Sequence, residues 1–245
     1  METVYKFQFH GARAEVVVPE NANDEWVWKT EFFHAFDSAE QALLEEGYTR
    51  VYYSVSDRYG SYKAVRLMKE FYRYVTEKFT LAAKAHLFGF SRGGLYAFNF
   101  TLFYPEAVAS VYLDAPVLDL KSWPPKDSEE QRQLFREYTL NAETLPLFDE
   151  NPVDKLDEYF GLHIPTLVVA GDSDELVPLS ENAGILLTYC NENGISVENH
   201  IKKGCGHHPH SLDDVTPIVA FVKRNSAKRD DSKNGCRYAE NFLKK

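Results

Sequence analysis

Hydrophobic and polar residues alternate near the start of the chain, in a pattern that predicts a β-hairpin. Residues 3–9 and 12–18 both alternate, and His10 and Gly11 lie between them. Alternation places every second side chain on the same face of a strand, and glycine supports the tight turn between two strands. Two antiparallel neighbouring strands are therefore expected.

Farther along, short apolar segments alternate with amphipathic segments of helical period. The predicted strands are 50–56, 85–90, 108–113, 165–170 and 195–201. The predicted helices are 38–46, 62–79, 92–104, 179–193 and 215–224. Residues 25–36 are rich in aromatic side chains and have no clear period. Strands that alternate with helices indicate an α/β fold with a mostly parallel, twisted sheet and helices on both faces.

The alternation of strands and helices is interrupted between residues 116 and 162, where five prolines and clustered acidic residues occur. A segment of this length is too short to build a core of its own, so it is interpreted as a lid-like insertion. The sequence thus predicts one domain over residues 1–224, with the insertion at about 116–162, followed by a basic C-terminal tail at 225–245.

Composition and charge restrict the classes of function. The 245 residues are 44% hydrophobic and carry a net charge of −10, which argues against a nucleic-acid partner. No leader-like segment and no apolar run of about 18 residues is present, so no membrane association and a cytoplasmic location are expected. The three cysteines have no CxxC spacing, which disfavours a disulfide framework or a zinc site.

The segment GFSRGG, residues 89–94, lies between a predicted strand and a predicted helix. A serine at such a turn is exposed at the carboxyl end of the sheet, and the glycines let the strand and the helix approach closely. The backbone N–H of Arg92 begins the helix and can help to hold an oxyanion. Ser91 is therefore a candidate nucleophile.

A nucleophilic serine needs a base and a group that orients the base. The segment GDSDELVP, residues 171–178, follows one later strand and offers Asp172 or Asp174. The segment KKGCGHHPH, residues 202–210, follows the next strand. It offers three histidines as the base, which are His207, His208 and His210.

These three segments, in this order, resemble the α/β-hydrolase family, and the resemblance covers about residues 12–224. The segments GCGHHPHSL, DAPVLDLKSWP and EWVWKTEFF also resemble uncharacterised bacterial α/β hydrolases. The resemblance implies that Ser91 is the nucleophile, that Asp174 is the acid and that His207 is the base. Asp172 is the alternative acid, and Asp114, at the end of a predicted strand, is a reserve acid.

The resemblance also implies a second oxyanion donor in a loop after an early strand. His10 and Gly11 have the residue types that many family members use, but they are better explained as the hairpin turn. The loop at residues 19–28 precedes the first helix, so a backbone N–H near Trp26–Trp28, with Trp28 as the choice, is expected to join that of Arg92.

The predicted function is that of a serine hydrolase, a carboxylesterase that cleaves an ester or a related acyl bond of a small substrate through an acyl-enzyme. Neither a metal nor a cofactor is expected, since the three histidines lack the helical i, i+4 spacing of metallohydrolases. Residues 116–162 are expected to form the pocket walls. The alternatives are a peptidase of the prolyl-oligopeptidase type, disfavoured because the chain has little room for a further domain, and a non-catalytic small-molecule receptor.

Overall fold

One eight-stranded sheet organises the computed structural model, which describes residues 2–226. Its strands are β1 Glu2–Phe9, β2 Ala12–Pro19, β3 Trp26–Lys29, β4 Thr49–Tyr53, β5 Ala85–Phe90, β6 Val108–Asp114, β7 Thr166–Gly171 and β8 Glu198–Lys202. The spatial order is β1-β2-β4-β3-β5-β6-β7-β8. The pairs β1–β2 and β2–β4 are antiparallel and the remaining pairs are parallel. The predicted α/β-hydrolase architecture is confirmed.

Helices cover both faces of this sheet. They are α1 Ser38–Glu45, α2 Tyr62–Phe79, α3 Gly93–Phe103, α4 Glu129–Tyr138, α5 Leu156–Gly161, α6 Ala183–Glu192 and α7 Thr216–Asn225. Helices α1 and α7 bury their apolar residues with those of one sheet face, and α2, α3 and α6 do so on the other. None of the helices in the described part of the chain is long and apolar enough to cross a membrane.

The hairpin and the long helix form as their patterns predict. Phe9 pairs with Ala12, and His10 and Gly11 form the turn with φ of 47° and 77°. Ser61 caps α2 by accepting a hydrogen bond from the backbone N–H of Ala64. Such a cap satisfies an N–H group that the first helical turn leaves unpaired.

Strand β3 is the strand that the sequence pattern does not predict. All four of its residues are buried between β4 and β5, so no polar alternation marks it. Its last residue is a lysine, whose Nζ lies 2.7 Å from an Oε1 of buried Glu40 and donates to the Ala35 carbonyl oxygen. Burial lowers the pKa of Lys29, against the opposing charge of Glu40. The sequence pattern does not reveal β3 as a central strand, because the buried Lys29 interrupts a run of aromatic residues.

The insertion at 116–162 contains α4, α5 and two short 3₁₀ turns. It adds Leu134, Leu156 and Tyr159 to the core on the α3 face, and the Tyr159 ring stacks on Phe98 with centroids 4.1 Å apart. Residues 227–245, most of the predicted basic tail, lie outside the described residues. The division into a domain at 1–224 and a tail stays a prediction.

Candidate active site

Ser91 lies on the sharp turn between β5 and α3, at the carboxyl end of the sheet. Its φ is 51°, a left-handed conformation that is uncommon for a residue other than glycine, and its backbone N–H donates to the Asp114 carbonyl oxygen. Tight packing explains the neighbouring glycines: a Cβ on Gly89 would lie 2.9 Å from the Ala97 Cβ, and one on Gly94 would lie 2.6 Å from the Pro116 Cβ. The turn therefore holds the serine in one place.

Ser91, His207 and Asp174 form a continuous hydrogen-bonded chain. The Ser91 Oγ lies 2.9 Å from His207 Nε2, and His207 Nδ1 lies 2.7 Å from Asp174 Oδ2. Ser91 is 7% exposed and the His207 side chain is 8% exposed, so solvent reaches only a small part of each. The predicted serine, histidine and aspartate are brought together, although they come from three separate loops.

The other carboxylate oxygen of Asp174 orients the aspartate. Asp174 Oδ1 accepts hydrogen bonds from the backbone N–H groups of Leu176, at 2.9 Å, and Val177, at 2.8 Å. One oxygen is thus held by the turn that follows β7, while the second faces the imidazole. This division of partners sets the direction from which the carboxylate meets His207.

Asp172, the alternative acid, connects two loops instead. Its Oδ1 accepts from the backbone N–H of Gly204 at 2.7 Å and from the Ser173 hydroxyl at 3.0 Å. The backbone N–H of Ser173 donates to the Cys205 carbonyl oxygen, and a Cβ on Gly171 would lie 2.1 Å from that same oxygen. Asp172 therefore fastens the segment 203–211, here called the histidine loop, to the turn that carries Asp174.

His210 and Asp114 form a second pair beside the first. His210 Nδ1 lies 2.7 Å from Asp114 Oδ1, and both side chains are buried. Asp114 Oδ2 also accepts from the backbone N–H of Ser211, at 2.8 Å, and from the Tyr112 hydroxyl. Burial, and then the charge of Asp114, raise the pKa of Tyr112, so the phenol keeps its proton and donates. Asp114 contacts His210 instead of His207.

His208, the third histidine of the loop, points to the surface. It is exposed, and its ring stacks on Phe36 with centroids 5.4 Å apart. Of the three predicted alternatives for the base, His207 is the one whose ring nitrogen meets the Ser91 hydroxyl.

Arg92 follows the serine and is the N-cap residue of α3. Its guanidinium Nη2 lies 3.1 Å from an Oε2 of Glu31, which is buried beside it. Burial raises the pKa of Glu31, and the charge of Arg92 opposes that shift. For Arg92, burial acts to lower the pKa, but Glu31 and Tyr96 outweigh it and the pKa is raised. The pair holds the side chain of Arg92 while its backbone N–H remains at the helix start.

The predicted position of Trp28 as second oxyanion donor is not supported, because Trp28 lies inside β3. It pairs with Val51 on one side and Leu87 on the other, in the middle of the sheet. The chain reaches the edge beside the serine turn only at residues 30–33. There the Thr30 hydroxyl donates to the Gly93 carbonyl oxygen at 2.9 Å, and the Glu31 nitrogen lies 3.6 Å from where a Gly93 Cβ would be. The error follows from the unpredicted strand.

Three exposed apolar side chains lie on the loops after β3 and β7, and they are here called the apolar rim: Phe32, Phe36 and Leu176. Phe32 lies under the Arg92 guanidinium, and Leu176 follows Asp174 by two residues. Exposed apolar groups that cluster at a polar site are typical of ligand-binding surfaces.

The prolyl oligopeptidase family model matches residues 45–229, which is well over half of the chain and includes the three loops. The chain belongs to the prolyl oligopeptidase family. It is therefore a member of a serine-hydrolase family with the α/β-hydrolase fold. The prolyl-oligopeptidase type, which the sequence analysis gave as an alternative, is the family to which the chain belongs. Comparison with curated protein sequences gives no significant match.

Solved structures of two kinds are similar to this family member. Dipeptidyl peptidase 4 of Porphyromonas gingivalis has a TM-score of 0.68 and 13% identity, over 92% of this chain and 35% of that one. An S-formylglutathione hydrolase from Agrobacterium tumefaciens has a TM-score of 0.62 and 14% identity, over 91% and 92% of the two chains. The chain thus spans about a third of the peptidase and most of the hydrolase. At these identities the likeness concerns the fold.

Proposed function

We propose that this protein is a serine hydrolase that cleaves a carboxylic ester, or a related acyl bond, of a small substrate through an acyl-enzyme. The observation that carries the proposal is the hydrogen-bonded chain from Ser91 through His207 to Asp174. A hydroxyl, an imidazole and a carboxylate in this order activate serine as a nucleophile.

In the first half of the reaction, Ser91 Oγ attacks the substrate carbonyl carbon while His207 Nε2 takes the hydroxyl proton. Asp174 accepts a hydrogen bond from the Nδ1–H group of the imidazole and stabilises the cation that forms, without taking the proton. The histidine then returns the proton to the leaving group, and the ester bond breaks. Water attacks the acyl-enzyme by the same path in reverse, which releases the acid and restores the serine.

The negative oxygen of the intermediate needs donors that are already in place. The backbone N–H of Arg92 is the first, because Arg92 is the N-cap of α3 and the N–H groups at a helix start have no partner within the helix. We propose that the second oxyanion donor is a backbone N–H of residues 31–33 and not that of Trp28, because residues 31–33 lie at the same edge of the sheet as Ser91. This loop carries Phe32, whose φ of 57° turns the chain at that point.

The apolar rim favours a substrate with an apolar group next to the scissile bond. Phe32, Phe36 and Leu176 are exposed around the site and bury apolar surface when such a group binds. No step in this scheme needs a metal or a cofactor.

A second candidate function is hydrolysis of a peptide bond, and membership of the prolyl oligopeptidase family favours it. The same three side chains serve both reactions, because both pass through an acyl-enzyme. The two functions differ in the leaving group. Comparing p-nitrophenyl esters of increasing acyl length with dipeptide p-nitroanilides distinguishes them: turnover of the esters without cleavage of any anilide supports the first proposal, and cleavage of a dipeptide anilide supports the second.

The proposal is tested by covalent labelling with a fluorophosphonate probe. The protein is expected to be labelled at Ser91, and Ser91→Ala is expected to lose both labelling and ester hydrolysis while its far-UV circular dichroism stays the same. Ser173→Ala is the matched control, because it removes an exposed hydroxyl that contacts Asp172. Hydrolysis that survives in Ser91→Ala, or a parent protein that resists the probe, contradicts the proposal; the second result favours a non-catalytic receptor.

A further inference from the structure

His207, His208 and His210 lie together in the histidine loop, and we propose that they bind a divalent transition-metal ion such as Zn²⁺. We infer further that the bound ion inhibits hydrolysis reversibly. The inhibition rests on the function proposed above, whereas the binding does not. The three residues are called the three-histidine cluster below.

The geometry of the cluster brings three imidazoles to one point. One ring nitrogen of each histidine lies within 4.8 Å of a ring nitrogen of both others. The ring centroids are 4.8, 4.9 and 5.0 Å apart, so each ring contacts the other two. The sequence spacing does not indicate this, because the residues come from a curved loop and not from successive turns of a helix.

Two of the imidazoles are already oriented as metal ligands usually are. Metal-binding histidines commonly donate one ring N–H to a carboxylate, which directs the other nitrogen at the ion. Here Asp174 holds Nδ1 of His207, and Asp114 holds Nδ1 of His210, both at 2.7 Å. Within residues 2–226, the polar partner of His210 is on Nδ1, which leaves Nε2 as its ligand atom.

The third imidazole provides the route from solvent. His208 is exposed and held by ring contacts, so it can turn with little loss of packing. Zn–N bonds of about 2.0–2.1 Å place two nitrogens of a tetrahedral site roughly 3.3 Å apart. The cluster must therefore contract around the ion, and the exposed ring is the one that is free to move.

The chemistry of the ligands selects the class of ion. Imidazole nitrogens suit Zn²⁺, Cu²⁺, Ni²⁺ and Co²⁺, whereas Mg²⁺ and Ca²⁺ prefer oxygen ligands. The negative charges of Asp114 and Asp174 lie directly behind two of the rings and add to the attraction for a cation. Three protein ligands leave one position open, which water or the Ser91 hydroxyl can fill.

Inhibition follows from the atom that the ion occupies. His207 Nε2 is the nitrogen that lies 2.9 Å from Ser91 Oγ. A lone pair that binds a metal cannot accept the serine proton, so the serine is no longer activated.

Binding is measured first on Ser91→Ala, which makes the result independent of any activity. Co²⁺ is added to this variant of the 245-residue chain. The visible absorption bands of four-coordinate Co²⁺ are expected at one ion per chain, and Zn²⁺ is expected to displace the Co²⁺. His208→Ala in the same background is expected to weaken binding roughly tenfold or more. His200→Ala is the control, since it removes a half-buried histidine that has a glutamate neighbour in β8. If His208→Ala and His200→Ala bind Co²⁺ with equal affinity, the proposal that the three-histidine cluster binds the ion is wrong.

Inhibition is then measured on the active protein with a nitrophenyl ester. Zn²⁺ is expected to inhibit, EDTA to restore activity and Mg²⁺ to have no effect. His208→Ala is expected to keep its basal rate and to need roughly tenfold more Zn²⁺ for the same inhibition. Cys205→Ser is expected to leave the inhibition unchanged; if it abolishes the inhibition, the ion binds the thiol and the proposal is wrong. Absence of hydrolysis would refute the proposed function, and the Co²⁺ measurement would still test whether the three-histidine cluster binds a metal ion.

Discussion

Two aspartate–histidine pairs lie side by side in this protein, and their difference lies in what surrounds them. His207–Asp174 and His210–Asp114 both have an Nδ1–oxygen distance of 2.7 Å, and the two imidazoles are in contact. Of these two histidines, His207 is the one whose Nε2 lies beside a serine hydroxyl within residues 2–226. Both pairs have the same geometry, and the position of His207–Asp174 beside Ser91 is what makes that pair suited to catalysis.

The second pair is better suited to holding the loop. The Asp114 backbone accepts the N–H of Ser91, while its side chain binds His210, the Ser211 N–H and the Tyr112 hydroxyl. One residue at the end of β6 thus connects the serine turn with the histidine loop. We assign the first pair to proton transfer and the second to the placement of the loop, and the following variants test that division.

The largest effect is expected for His207→Ala. Removing the proposed base lowers kcat for ester hydrolysis by about 10⁶, as in other enzymes with this triad, because the serine keeps its proton. The melting temperature changes little, since the side chain borders the open site. Steady-state kinetics and thermal unfolding give the two values. If His207→Ala and His210→Ala lose activity equally, the assignment of proton transfer to the His207–Asp174 pair alone is wrong.

Asp174→Asn is expected to have the next effect, a decrease in kcat of about 10⁴. The amide preserves the shape of the turn but no longer reliably accepts the hydrogen bond from Nδ1–H, which favours the wrong tautomer of His207. KM is expected to stay nearly constant, because the aspartate does not touch the substrate. Initial-rate measurements over a range of ester concentrations test this. A variant that keeps wild-type kcat would return the role of the acid to Asp172 or Asp114.

Asp114→Asn is expected to affect stability more than chemistry. Hydrogen bonds to a charged group contribute about 1.5–3 kcal/mol each, and the Asp114 side chain accepts three of them, so a loss of about 3 kcal/mol of unfolding free energy is expected. Urea unfolding measures the loss, and kcat of the folded protein is expected to decrease by far less than in Asp174→Asn. If instead kcat falls as strongly and stability is unchanged, Asp114 belongs to the reaction.

Asp172→Ala is expected to have the smallest effect. It removes the acceptor for the Gly204 N–H and the Ser173 hydroxyl in an exposed turn, which costs about 1 kcal/mol. Activity is expected to decrease only a few-fold, because the histidine loop retains its bonds to Asp114. Paired urea-unfolding and rate measurements check this, and a loss comparable to that of Asp174→Asn would show that Asp172 acts on His207 directly.

Local patterns allowed much of the fold to be predicted. The hairpin and the helix at 62–79 have a period or a cap that depends on neighbouring residues, and the strand at 85–90 is a short apolar run that ends at the serine turn. Strand β3 has neither, since it is short, buried on both faces and ends in a lysine. Because this strand was not predicted, the second oxyanion donor was expected at Trp28, whereas we propose an N–H from residues 31–33.

The sequence by itself determined which chemical groups are present and at which edge of the sheet they lie. A serine turn after one strand, two aspartates after another and three histidines after a third follow from the direction of parallel strands. The family resemblance pointed to Asp174 and His207, and only the tertiary structure showed that Asp114 meets His210. Asp114 and His210 are 96 residues apart, and their contact depends on how the histidine loop folds back over β6. Side-chain pairing between distant loops is set by packing, and no local pattern records it.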